Sequence, residues 1–144
     1  MGLEELDTPV LVADLDAIER NIVRMQRYCD EHGLALRPHI KTHKLPELAR
    51  LQLEAGARGI TCQKLGEAEV FIDAGFDDIL ISFPLIGRAK IERLRALAER
   101  ARVCVVVDSD EGLDAVTGLD VDVLVECDTG GGRTGVQSPE AARG

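Results

Sequence analysis

The run Val103-Cys104-Val105-Val106-Val107-Asp108 decides the fold. Its unbroken apolar, β-branched character is that of a strand covered on both faces, as in a parallel sheet, rather than one with a wet side. Helical patterns flank it. On one side Ile91, Leu94, Leu97 and Ala101 form an apolar stripe at helical spacing, and on the other Asp110–Thr117 ends at Gly118. Four further segments share its character: Leu34–Lys41, Gly59–Lys64, Asp78–Phe83 and Asp122–Asp128. In chain order the five starts are 25, 19, 25 and 19 residues apart, close to one strand plus one crossover helix.

The joins carry the expected punctuation. Asp16 and Glu19 resemble a capping box, Ile18, Ile22, Met25 and Cys29 recur on one helical face, and His32-Gly33 closes that helix. Pro46 suits a first helical turn and Gly56 a stop, and Leu65–Ala74 ends at Gly75. Thr8–Ala13 reads as extended. The fold class is α/β, and two architectures accept such a series: an open doubly wound sheet or a (β/α)8 barrel. Strand count alone does not choose between them.

Composition agrees. Of 144 residues 45% are apolar but only 3% aromatic, with no Trp, so the core is aliphatic. Charges sum to 17 − 26 = −9, which disfavours a nucleic-acid surface. No apolar run approaches the ~20 residues of a membrane span, and the opening residues lack a secretory layout. Cys29, Cys62, Cys104 and Cys127 show neither C-x-x-C nor zinc spacing and read as reduced core thiols. The chain reads as cytoplasmic. Ser138-Pro139-Glu140 reads as a helix start with four residues after it, so the sequence is expected to break off inside a longer parent.

The strongest candidate site is Leu36-Arg37-Pro38-His39-Ile40-Lys41-Thr42-His43-Lys44. On a strand, Arg37, His39 and Lys41 share one face and Leu36, Pro38 and Ile40 the other. Three cations on an inner face predict a polar, anion-binding cavity, because buried charge is costly unless compensated. Lys41 ends the strand, where α/β folds place ligands, and a lysine desolvated beside the positive His39 and Arg37 is suited to Schiff-base chemistry. The plain alternative is an exposed edge or loop with solvated side chains.

A second candidate, Asp128-Thr129-Gly130-Gly131-Gly132-Arg133-Thr134-Gly135, contains G-x-G-x-x-G but lacks the following strand and acid of a dinucleotide site. Its glycines would let the backbone approach a ligand while Arg133 supplies a fixed charge. A glycine-rich surface turn is the alternative. Gln63, Lys64, Ser82 and Asp108 are lesser strand-end candidates at the same pole. No metal-ligand pattern emerges.

Three motifs in order, Arg37-Pro38-His39-Ile40-Lys41-Thr42-His43-Lys44, Gly59-Ile60-Thr61-Cys62-Gln63-Lys64 and Glu126-Cys127-Asp128 through Arg133-Thr134-Gly135, closely resemble the D-threonine aldolase and D-serine dehydratase family. The opening Asp7-Thr8-Pro9-Val10-Leu11-Val12 fits too, and the likeness runs from about Leu6 to Val136. The resemblance implies a fold-type III pyridoxal-phosphate enzyme with an alanine-racemase-like barrel. Residues 1–144 would then be the N-terminal part of that barrel, about five of eight βα units. It implies Lys41 as the lysine that carries pyridoxal 5'-phosphate, with Lys44 as fallback, Arg133 beside the cofactor's phenolic oxygen, and His39 and Gln63 in the cofactor site. It further implies a lyase acting on a small β-hydroxy D-amino acid, a homodimeric parent, and a divalent metal held by residues beyond this sequence. The late barrel loops that cup the cofactor phosphate and the C-terminal β-domain have no counterpart here. An amino-acid racemase of the same fold and a non-catalytic cofactor-binding protein are the competing readings.

Overall fold

A computed structural model describes residues 2–143. Helix α1 (Leu15–Glu31) is followed by α2 (Pro46–Glu54), β1 (Ile60–Cys62), α3 (Leu65–Asp73), β2 (Asp78–Ile81), α4 (Arg88–Ala98), β3 (Arg102–Val107), α5 (Asp110–Val116) and β4 (Asp122–Val125). The helix ends follow from local chemistry. Asp14, rather than Asp16, caps α1 by accepting the Ala17 N–H, and Ser109 caps α5 by accepting the Gly112 N–H. Pro46 occupies the first turn of α2. Gly33, with φ 63°, ends α1, and the Leu34 N–H then returns to the Cys29 carbonyl.

The four strands form one parallel sheet in the order β1-β2-β3-β4. Ile60, Ile79 and Val103 stand side by side in register, as do Cys62, Ile81 and Val105. These side chains are buried under Leu65, Ala68, Phe71 and Ile72 of α3, Leu94 and Leu97 of α4 and Val116 of α5. Fully burying each large aliphatic or aromatic side chain is worth ~1.5–3 kcal/mol, so this single layer supplies most of the cohesion.

The other face carries Thr61, Leu80, Cys104, Val106 and Leu124 and, among the described residues, has no helix packed on it. Sequential strand order with helices on one face only is an arc of a (β/α)8 barrel. A doubly wound sheet reverses its strand order and is covered on both faces. The architecture is the partial barrel.

The first expected strand differs. Of Leu34–Lys41, only His39 pairs, in a parallel bridge to Thr61, and no strand forms over Thr8–Ala13. Proline lacks an N–H, so Pro38 can accept from the Thr61 N–H but cannot extend the ladder, and Ile40–Thr42 closes into a 3-10 turn. The chain therefore contributes four strands and one bridged segment to the arc, rather than five full strands.

The cysteines also divide. All four are free thiols, but only Cys29 and Cys62 are buried; Cys104 is half-buried on the inner face and Cys127 is exposed. Among the described residues no helix is long and apolar enough to cross a membrane.

Candidate active site

The carboxyl ends of the strands gather the polar groups. His39, bridged to Thr61, lies on the inner face, and its Nε2 is 3.3 Å from the Ser82 Oγ that follows β2. The ring's Nδ1 accepts the backbone N–H of Lys41 at 3.2 Å. An accepting Nδ1 assigns the proton of the neutral ring to Nε2, which donates to Ser82, whose hydroxyl in turn donates to the Cys62 carbonyl at 3.3 Å. Burial, aided by the nearby Lys41 ammonium, holds the His39 pKa below 6.5. His39 is thus disfavoured as the cationic neighbour of Lys41 that the strand pattern predicts.

Arg37 is not that neighbour either. Its guanidinium lies at the opposite, N-terminal end of the sheet, pairing with the Asp78 carboxylate at 2.8 Å and donating to the Asp78 and Ile60 carbonyls. A Cβ at Gly59 would collide with that guanidinium and with the Asp78 carbonyl oxygen, so the position takes glycine. Arg37 and His39 do share the inner face. Lys41 does not join them: the 3-10 turn takes it out of the strand alternation, and it is exposed.

The two lysines of the motif are engaged differently. Lys44, with φ 55°, places its Nζ 2.7 Å from the Glu67 Oε1, and the other oxygen of that buried carboxylate accepts the Gln63 N–H at 2.8 Å. Burial acts to raise the Glu67 pKa, but the hydrogen bonds from Lys44 and Gln63 and the charges of Lys44 and Lys64 outweigh it and hold the carboxyl low. Among the described residues Lys41 makes no ion pair. Burial drives the neighbouring Cys62 thiol up to about 12, so it is inert as a nucleophile near neutral pH.

The glycine loop is organised by carboxylates. Asp128 accepts the N–H groups of Gly130, Gly131 and Gly132 at 2.7 to 3.1 Å, and these donors keep its pKa below the usual aspartate value. Asp108 accepts the Gly135 N–H at 3.1 Å. Arg133 is exposed on this braced loop. The adjacent Glu126 accepts from the Thr134 hydroxyl through Oε1, while its Oε2 is buried without a partner. An orphaned buried acceptor beside a cleft marks room for a donor from outside the chain.

Gln63, Lys64, Ser82 and Asp108 follow the strands at one pole, as the strand spacing predicts, and His39 meets Ser82 there. No hydrogen bond or ion pair joins Lys41 to Arg133 among the described residues. Glu67 was missed because it sits inside an amphipathic helical pattern and reads as a solvated acid. The available signal was its place three residues after Lys64, at the positive end of α3. Asp78 was missed as an unremarkable strand-start acid. No group of three or more His, Cys, Asp or Glu able to hold a metal ion occurs among the described residues.

The family model described as "Alanine racemase, N-terminal domain" matches residues 13–144. The chain belongs to that family. Within the alanine racemase N-terminal domain family, this chain is similar to the D-threonine aldolase of Arthrobacter sp, 49% identical over 140 residues, covering 93% of this chain and 37% of that protein. It is also similar to the D-threo-3-hydroxyaspartate dehydratase of Delftia sp. (strain HT23), 43% identical over 140 residues, covering 91% and 36%. The crystal structure of D-threonine aldolase from Filomicrobium marinum superposes with a TM-score of 0.94 at 44% identity, covering 98% of this chain and 40% of that one. The resemblance read from the three motifs is borne out. The chain spans somewhat under half the length of these relatives.

Proposed function

We propose that this chain is the N-terminal part of a pyridoxal-phosphate-dependent lyase acting on β-hydroxy D-amino acids, of the D-threonine aldolase or D-serine dehydratase type. The observation that carries the reading is the unequal state of its two motif lysines: Lys44 is taken up by Glu67, whereas among the described residues the Lys41 amine has no ion-pair partner, and it adjoins the neutral His39.

The residues present fit the cofactor in kind. An aldehyde needs an accessible amine, which Lys41 supplies. A phenolate needs a fixed cation, which Arg133 supplies on a loop already braced by Asp128 and Asp108. The orphaned Glu126 Oε2 leaves an acceptor for a ligand donor at the same rim. When bound, the cofactor supplies an electron sink for charge developing on the substrate's α-carbon. The chain's own part is anchoring and orientation. Lys41 would hold the cofactor's aldehyde and Arg133 would face its phenolic oxygen, while His39 and Ser82 fix the backbone from which Lys41 projects and Gln63 would line the rim. A divalent metal, where one is used, would draw its ligands from elsewhere than the described residues, among which no metal-holding cluster occurs. The free thiols support a cytoplasmic setting.

Borohydride reduction of the cofactor-loaded protein, followed by peptide mass mapping, tests the assignment. Label is expected on Lys41, and label on Lys44 or none overturns it. Product analysis with D-threonine, D-serine and alanine then separates aldolase, dehydratase and racemase.

A further inference from the structure

Lys41 is the middle residue of a 3-10 turn over Ile40–Thr42 and Lys44 lies two residues past its end, the Lys44 N–H closing back onto the Ile40 carbonyl at 2.8 Å. The two side chains leave neighbouring points of the same loop. His39 lies within electrostatic reach of both the Lys41 ammonium and the Glu67 carboxylate, so the Glu67-bound Lys44 amine shares Lys41's neighbourhood. An aldehyde entering there meets both amines of the motif, which share the same chemistry. What separates them is Glu67. Its carboxylate is buried on α3 and fixed from the other side by the Gln63 N–H, so it cannot swing away with Lys44.

We infer that Glu67 is a positioning residue that selects between the two motif lysines: by pinning Lys44 as an ion-paired ammonium it leaves Lys41, rather than Lys44, open to the aldehyde. The inference rests on the proposal that Lys41 is the anchor. The chemistry accounts for the discrimination. A lysine condenses only after losing a proton to solvent; its nitrogen then forms a bond to the aldehyde carbon, and the carbonyl oxygen departs as water to leave C=N. An ammonium held 2.7 Å from a buried carboxylate has no free electron pair, and freeing it would strand a desolvated charge. Lys44 also adopts a left-handed backbone, unusual for a lysine, which the bond to Glu67 helps to hold.

The test is reductive trapping with pyridoxal phosphate and borohydride, read by peptide mapping, on the whole protein in three forms. The unaltered protein should label on Lys41. Lys41→Ala should label on neither lysine. Lys41→Ala combined with Glu67→Gln, which keeps an acceptor for the Gln63 N–H but removes the charge, should bring label onto Lys44. Label on Lys44 in Lys41→Ala alone, or none in the double variant, overturns the role of Glu67 while leaving Lys41 as anchor. Label absent from Lys41 in the unaltered protein overturns the anchor itself. Should the double variant not fold, competitive acetylation of the unaltered protein decides. Lys44, though half-exposed, should react more slowly than the exposed Lys64 and Lys90, and equal rates overturn the inference.

Discussion

The imidazole of His39 joins Ser82 and Lys41, lying 3.3 Å from the Ser82 hydroxyl through one nitrogen and accepting the Lys41 backbone N–H through the other. A single side chain thus ties the strand end after β2 to the turn that carries the motif lysines, and it does so as a neutral ring. Protonation would turn the accepting nitrogen into a donor and break the bond to Lys41.

Stability should therefore depend on pH through His39. Its folded pKa lies below 6.5, so between the folded value and 6.5 the unfolded chain binds more protons than the native one. Stability should be full above 6.5, fall as the pH drops through that window, and level off below the folded midpoint. His43, also lowered by burial, adds with the same sign. Urea denaturation across this range should show the slope, reduced in His39→Gln. Ring-proton titration placing His39 at or above 6.5 would refute the neutral-ring assignment. Ser82→Ala should cost ~0.5–1.5 kcal/mol, the usual net worth of one such bond.

Arg37 and Asp78 should matter far more than the solvent-exposed ion pairs. Their side chains are about a fifth exposed, and the fork also serves two backbone carbonyls. Arg37→Lys keeps the charge but cannot reproduce three directed donors, so a loss of ~1–3 kcal/mol is expected in denaturant unfolding. Arg88→Lys is the control. Its pair with Glu92 is almost wholly solvated, and the change should stay within ~0.5 kcal/mol. Equal effects at the two sites would show that the inner-face pair carries no special weight.

The contrast between Arg37 and Lys41 also marks how far the sequence could be read. Periodicity located the helices and four of the five expected strand starts because burial on one face imposes it: Leu94, Leu97, Ile79 and Val105 are all where their spacing puts them. Alternation put Arg37 and His39 on the inner face correctly. It failed at Lys41 because a proline had already removed a ladder donor, and a 3-10 turn, which the pattern does not encode, replaced the strand. Strand order, which separates a barrel from a doubly wound sheet, is a non-local property that no single segment expresses. The partners Asp78 and Glu67 were invisible for the same reason. Each is 41 or 23 residues from the cation it meets.

The glycine loop offers a comparison within one motif. Gly130 and Gly135 both have strongly positive φ, 120° and 100°, so an alanine at either is strained. Around Gly130 nothing lies within 4 Å of an added Cβ, and Gly130→Ala should cost only the conformational penalty, ~1 kcal/mol. At Gly135 the same atom would sit 2.6 Å from the Asp128 nitrogen and 2.7 Å from the Cys127 carbonyl carbon, both backbone atoms that no rotamer change can move. Gly135→Ala must displace the loop, breaking the Asp108 bond to the Gly135 N–H and shifting Arg133 away from the strand ends. Pyridoxal phosphate titration of the whole protein should show clearly weakened binding for Gly135→Ala and near-normal binding for Gly130→Ala. Unchanged affinity in Gly135→Ala, with the protein folded, would mean that the path of this loop does not set the cation at the cofactor.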